Sequence, residues 1–303
     1  MISRREVLVA ATAGMLLPTG QPARRIGFID DDPDNFHANV YLRILRNELK
    51  QRGYVVAGVT ALQAERGRAW AKKNGVPYYA SVEELAAHVE FFAVLAPSTP
   101  ATHLKLCQQA FLHGKPTFVD KTFAPSATIA RRIFQLADQH NVPVQTSSAL
   151  RYTNVQDYVL RVGRSNVRHM VAWGGGRSFD EYAVHPVELV ISCMGHRVRQ
   201  LMRRGREPEV QLLLDFDDGR TAVVNVYTRA RTPFAAAVTT VQQTRYLAVD
   251  TKSLFVRACA AMLDFFDARR PLVDRRETMA IMHILDLARQ LQSEHRFVPV
   301  PPA

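Results

Sequence analysis

The chain has 303 residues, 47% of them apolar and 22% charged, with 39 basic residues against 28 acidic ones and a net charge of +11. This length suits two domains or one large one, and the balance is that of a globular chain. The arginines are scattered, with no basic stripe interleaved with aromatics, which argues against nucleic acid as partner and leaves room for an anionic small molecule.

The chain opens Ser3-Arg4-Arg5-Glu6-Val7-Leu8 and continues uncharged to Pro18. A basic start followed by an apolar run reads as an export signal, and the arginine pair looks like the twin-arginine type. The run is too short to cross a bilayer as a mature helix. We therefore expect residues 1–23 to be a signal segment, the mature protein to be periplasmic or otherwise exported, and no stable membrane insertion once the signal is removed.

From residue 24 to 150 the pattern alternates. Apolar strand runs lie at 24–29, 54–59, 89–95, 116–120 and 142–146. Between them lie helical patterns from Asp34 or Asn35 to about Gly53, at 64–73, 82–87 and 103–113, and from Ser126 to Asn141. Strands separated by helices of this length make parallel βαβ units with right-handed crossovers. After Arg151 come short strands at 167–173, 199–203, 210–216, 221–228, 235–242 and 245–249, with one helix within 179–194, which predicts an antiparallel sheet. Helices at 254–268 and 276–293 close the chain. The expected class is α/β: a Rossmann-like, doubly wound parallel sheet (24–150), then an α+β domain with an open, mostly antiparallel sheet (151–303). Cys107, Cys193 and Cys259 sit in apolar helical patterns and read as reduced core residues, not as a disulfide framework or a metal site.

One strand end stands out. Lys115 to Thr122 is an apolar run ending on Asp120-Lys121, at the carboxyl edge where open α/β sheets bind ligands. Only seven basic residues are lysine, among them Lys121. Lysine is a compact donor whose pKa moves readily, unlike the fixed fork of arginine.

These segments together resemble the Gfo/Idh/MocA oxidoreductases, the family of glucose–fructose oxidoreductase and inositol dehydrogenase. Ala96-Pro97-Ser98-Thr99-Pro100-Ala101-Thr102-His103 looks like the family's Pro-Asn/Ser-x-x-x-His segment. Gly114-Lys115-Pro116 through Val119-Asp120-Lys121-Thr122 looks like its Gly-Lys-His-Val-x-x-Glu-Lys-Pro segment. Arg151 is placed like the arginine after the sixth strand, and Glu181-Tyr182-Ala183-Val184-His185-Pro186-Val187-Glu188 looks like Asp-x-Gly-x-His-Pro-x-Asp. The resemblance implies NAD or NADP as cofactor, a sugar or polyol substrate, and a homodimer or homotetramer. It implies that Lys121, His185 and Glu181 are catalytic, with His185 as general base, and that Arg151 and Tyr182 meet the substrate. It places Pro97, Ser98, His103 and Asp120 at the cofactor. Glu181 and His185 are four apart, so on one helix face the carboxylate could orient the imidazole.

The first turn departs from the pattern. Gly-x-Gly-x-x-Gly lets backbone approach a pyrophosphate, but Asp30, Asp32 and Asn35 stand at those positions, followed by Phe36. The second strand ends at Val59-Thr60-Ala61, without the acid that would hold a ribose hydroxyl. Three readings stay open. NAD(P) could be held in altered geometry by Asp30, Asp32, Asn35, Phe36, Thr60 and the helix start. A different ligand or a divalent cation could take the turn. Or the chain could be a non-catalytic binding protein of the same fold. A redox-assisted glycoside lyase or hydrolase is a further variant of the first reading.

Overall fold

A computed structural model describes residues 22–290 and 296–303. Arg4, Arg5 and all of the expected 1–23 signal segment except Pro22 and Ala23 lie outside the described residues.

The strands β1 (Arg24–Asp30), β2 (Tyr54–Ala61), β3 (Phe91–Val94), β4 (Thr117–Val119) and β5 (Val144–Thr146) form a parallel sheet in the order β2-β1-β3-β4-β5. The chain runs outward from β1 to β2 and then returns to β3 on β1's other side. That reversal opens a crevice at the carboxyl ends of β1 and β3. β1 is buried from Ile26 to Asp30. Gly27 lets helix α3 (Val82–Ala86) lie close, since a Cβ there would stand 2.9 Å from Cδ2 of Leu85. Helix α1 (Phe36–Arg46) starts on Asn35, whose side chain accepts from the Ala38 amide, and it buries His37, Ala38, Tyr41, Leu42, Ile44 and Leu45. That spacing is one stripe of a helix, and it sets His37 on the core side at the crevice end. Helices α2 (Ala64–Asn74), α4 (His103–Phe111) and α5 (Ala127–Gln139) complete the wrapping.

The second half begins with α6 (Asn154–Val162). Its sheet uses β6 (Val167–Gly175), β7 (Val198–Arg204), β8 (Glu209–Phe216), β9 (Thr221–Tyr227), β10 (Ala235–Thr240), β11 (Thr244–Ala248) and β12 (Val298–Pro299), in the order β11-β10-β6-β9-β8-β7-β12. All neighbours are antiparallel except β6 and β9. Val210, Leu212, Leu214 and Phe216 of β8 alternate inward onto α8 (Val184–Met194). On the opposite face the register lines up Tyr246, Ala237, Val171, Val223, Leu213 and Met202 in one row across six strands, all partly or fully exposed.

The helix expected within 179–194 is two: α7 (Phe179–Tyr182) and α8, joined at Ala183. The last helices tie the halves together. α9 (Leu254–Ala268) packs Cys259, Met262, Leu263 and Phe266 with Ile26 and Phe28 of β1. α10 (Arg275–Gln290) puts Met279 and Met282 into the parallel-sheet core, and Ile281, Ile284 and Leu285 into the other core. One helix thus shares its side chains between both halves, which holds the two walls of the crevice together. The three cysteines are free and buried, as expected, and burial pushes the Cys193 and Cys259 thiols up to about 12. Among the described residues no helix is long and apolar enough to cross a membrane.

Candidate active site

A cleft of about 640 Å³ lies between the carboxyl ends of the parallel sheet and the start of α8. Lys121 and His185 both line it. They arrive from different halves, so the cleft exists only when both are folded. Lys121 follows β4 and is 7% exposed. Its Nζ donates to the Pro97 carbonyl at 3.2 Å, which aims the ammonium along the cleft floor. Ala96 makes this contact available by turning the chain out of β3 at φ +35°, a left-handed conformation uncommon for a non-glycine residue and concentrated at functional sites.

His185 sits in the first turn of α8. Its Nδ1 lies 2.7 Å from Ser148 Oγ, and Tyr182 and Phe234 meet its ring edge-on at 5.7 and 5.8 Å. Burial, with the positive charges of Lys121 and His37 added, holds the imidazole well below 6.5. The ring is therefore neutral at neutral pH, the state a proton acceptor needs. Glu181 and Tyr182 also line the cleft, but Glu181 is not the orienting partner of His185: Ser148 occupies that position. Ser178 caps α7 by accepting the Glu181 amide. Tyr182 lies flat on Gly176, where an added Cβ would stand 2.1 Å from the ring. The Gly174–Gly176 run is thus the seat of this aromatic wall.

Two expected contacts are placed elsewhere. Arg151 points away from the cleft. Its Nε bonds Glu188 Oε1 at 2.7 Å and its Nη1 bonds Glu277 Oε2 at 2.5 Å. Burial alone would lower its pKa, but the two carboxylates hold it above its ordinary value. It is a structural cation: its spacing after the strand was readable, its two buried partners were not. His103 is fully buried, with Nδ1 3.0 Å from the Phe123 carbonyl and Nε2 3.1 Å from that of Leu95. It ties the end of β3 to the loop after Lys121 and does not reach the cleft.

Asp120 is 1% exposed. One oxygen accepts the Lys121 amide at 2.8 Å and the other lies 2.5 Å from Nδ1 of His37. It therefore stands behind the cleft wall, and His37 is the group it presents. Sequence reasoning passed over His37 and Ser148. A histidine on an apolar helix stripe and a serine after a strand are unremarkable until the fold sets them beside Asp120 and His185.

The first turn decides how a dinucleotide would sit. Asn35 is fully committed. Its Oδ1 accepts from Ala38, and its Nδ2 donates to Asp30 Oδ2 at 2.9 Å and to the Asp32 carbonyl at 2.8 Å. Asp30 is 1% exposed, and burial pushes its carboxyl up to about 7 against the pull of its hydrogen bonds. Asp32 is paired with Arg66 at 2.6 Å and Asp34 with Lys73 at 3.7 Å. The turn thus carries less negative charge than its acids suggest. Among the described residues no protein acceptor takes the Phe36 and His37 amides, so the positive end of α1 stays open where Asn35, Phe36 and His37 line the cleft. Pro97 and Ser98 line it beside Lys121. Thr60 is buried in the β2 ladder and does not line the cleft. The residues present fit a nicotinamide dinucleotide at the Lys121 end and at the helix terminus, without the close backbone approach that glycines would give. Among the described residues no cluster of three His, Cys, Asp or Glu side chains is arranged to hold a metal ion.

Comparison with known proteins agrees with this geometry. Residues 35–148 match the Gfo/Idh/MocA family model, described as an oxidoreductase family with an NAD-binding Rossmann fold. The match begins at Asn35, just past the acidic turn. An uncharacterized oxidoreductase of Synechocystis is 32% identical over 93 residues, which is 30% of this chain and 25% of that protein; the chain matches about a quarter of that relative's length. The fold is that of scyllo-inositol dehydrogenase from Lactobacillus casei (TM-score 0.78, 11% identity, 92% of this chain and 99% of that one). It is also that of myo-inositol 2-dehydrogenase from Lactobacillus plantarum (0.76, 13%, 92% and 100%). GenD2 of gentamicin A biosynthesis, solved in complex with NAD, superposes equally well (0.76, 15%, 95% and 100%). Residues 35–148 thus match a family model of oxidoreductases with an NAD-binding Rossmann fold, and more than nine-tenths of the chain shares the fold of these solved structures.

Proposed function

We propose that the protein is an exported NAD(P)-dependent dehydrogenase that oxidises a secondary hydroxyl of a sugar or polyol. The observation that carries this is the meeting of Lys121 and a neutral His185 in one cleft that also receives the open end of α1. His185 Nε2 takes the hydroxyl proton. Lys121 donates to the same oxygen and stabilises the charge that develops on it as the C–H bond breaks. Phe36, Pro97 and Ser98 line the same cleft and would hold NAD(P), which when bound would supply the hydride acceptor. Phe36, Tyr182, Phe234 and Phe255 give the cleft apolar walls suited to the C–H faces of a ring. A cofactor held tightly through turnover, recycled by a second substrate, accounts for folding before export.

The test is reduction of NAD+ or NADP+ by purified protein across a panel of inositols, hexoses and their acids. At least one should give turnover that His185→Ala abolishes; a panel silent with both cofactors would contradict the reading. Export is tested separately. Replacing Arg4 and Arg5 together with lysine should retain the protein in the cytoplasm, and an unchanged periplasmic yield would reject it.

A further inference from the structure

We propose that Arg177 is the anion receptor of the cleft, and that the sugar or polyol oxidised there carries a carboxylate. The inference names the substrate class of the same site and rests on the dehydrogenase reading for the reaction, though not for the binding.

The cleft has two walls of different origin. Asn35, Phe36, Pro97 and Ser98 come from the parallel-sheet half, whereas Arg177, Glu181, Tyr182, His185 and Phe234 come from the other. Arg177 thus stands on the wall of His185, across from the residues that suit a dinucleotide. Its backbone is anchored on both sides. Gly175, the last residue of β6, pairs with Tyr227 of β9, and a Cβ there would stand 2.3 Å from the Tyr227 carbonyl oxygen. On the other side Ser178 caps α7, and the Phe179 amide donates to Glu207 Oε1 at 2.6 Å. The side chain between these anchors is exposed and has no hydrogen-bond or ion-pair partner among the described residues. An unpaired arginine on an outer surface is ordinary; one lining the cleft beside the reacting groups has a ligand to meet. Lys121 differs, since its ammonium is buried and already bonded to the Pro97 carbonyl. The loop 228–234, which brings Phe234 into the cleft, adds Arg229 and Arg231, both exposed and likewise unpaired among the described residues.

The acids of the cleft do not cancel this charge. Asp34 is paired with Lys73 at 3.7 Å, and Lys73 does not line the cleft. Glu181 shares the wall of Arg177 without an ion pair between them among the described residues. A carboxylate accepts hydrogen bonds, so Glu181 suits hydroxyl groups and disfavours an anion that has none. An open guanidinium offers a planar, two-pronged donor matched to a carboxylate. A hydroxy acid satisfies both groups at once, with its hydroxyls towards Glu181, its carboxylate at Arg177 and its C–H faces against Tyr182 and Phe234.

The test is calorimetric titration of the full chain, with and without NAD+ or NADP+, using matched acid and neutral ligands: glucuronate and glucose, galacturonate and galactose, gluconate and sorbitol. At least one acid should bind about 10- to 100-fold more tightly than its neutral partner, as a charge-assisted contact provides. The difference should shrink as salt is raised. Arg177→Gln should bring the acid to the level of its neutral partner, and Arg177→Lys should restore only part of the preference, because a point charge replaces the fork. Where turnover is measured, the loss should appear in KM and not in kcat, since the contact is made equally in the ground and transition states. Three results would overturn the proposal: no acid preferred in any pair, a preference that survives Arg177→Gln, or glucose 6-phosphate bound more tightly than every acid. Acid-selective binding that depends on Arg177, in a protein that reduces neither cofactor, would support the proposal and count against the dehydrogenase reading alone.

Discussion

Lys121→Ala should lower kcat/KM by about 10²- to 10³-fold, the usual loss when one donor to a developing oxyanion is removed, equivalent to about 2.7–4 kcal/mol. Lys121→Arg should not restore activity, because a planar fork cannot replace a compact ammonium bonded to the Pro97 carbonyl. Steady-state kinetics with circular dichroism as the fold control checks both, and either variant keeping near-normal turnover would remove lysine from the mechanism. The pH profile carries a second signature. Burial, then Lys121 and His37, depress the imidazole of His185. The folded pKa is thus below the unfolded one, about 6.5. Wild-type activity should persist as pH falls through 6.5 and decline only below it. In Lys121→Ala one of the depressing charges is gone, so the acid limb of the residual activity should move to higher pH. The same shift has a cost in stability. Below about pH 6.5 the unfolded chain takes up a proton that the folded site refuses, so this residue's contribution falls as pH drops through that window and levels off below the folded pKa.

Arg151→Met should be the most damaging single change to stability among the residues near the site, by about 3–5 kcal/mol, the usual penalty for leaving a buried partner uncompensated. Arg151 is the shared cation of Glu188 and Glu277, whose side chains are 5% and 8% exposed. Arg164 offers Glu277 a contact at 3.3 Å from a half-exposed position and donates otherwise to the Ser192 carbonyl. Burial already pushes the Glu188 carboxyl up, with Arg151 the main force opposing it. Once the arginine is gone, Glu188 should protonate and loosen its hold on the Ser148 amide. Denaturant unfolding of Arg151→Met and of the double variant with Glu188→Gln checks this. The double variant should recover part of the loss, since the amide is neutral at every pH whereas the buried carboxylate must take up a proton to become so. A single variant within about 1 kcal/mol of wild type would show that the network is not what holds the 147–151 segment.

The alternation of apolar runs and helices made the parallel sheet legible, because a parallel strand is buried on both faces and leaves an unbroken apolar run. Lys121 and His185 were legible for a different reason: each sits at an element end, at a spacing that the family motifs share. Their partners were harder to read. Ser148, His37 and Glu188 are common residue types whose roles depend on a contact between segments about forty or more residues apart in the chain. Glu181 looked like the orienting group because it lies four residues before His185. The helix is broken into α7 and α8 at Ala183, and the fold brings Ser148 to Nδ1. Arg151 and His103 were assigned to ligands by position alone, but Arg151 spends Nε and Nη1 on two buried carboxylates, with Nη2 unpartnered, and both ring nitrogens of His103 lie at backbone carbonyls. The acidic first turn counted against the cofactor as a row of like charges. The fold pairs two of those acids with Arg66 and Lys73, buries Asp30, and leaves the start of α1 facing the cleft.

The account stands or falls on dinucleotide binding by a Rossmann turn that lacks its glycines. Calorimetric titration of the purified full chain with NAD+, NADH, NADP+ and NADPH, after denaturing a portion to detect any nicotinamide carried through purification, measures this directly. The account predicts a saturable one-to-one complex with at least one of the four, or a stoichiometric nicotinamide released on denaturation. Weaker binding should follow when Phe36, the exposed aromatic at the start of α1, is changed to Asp. No released nicotinamide and no heat with any of the four would contradict it.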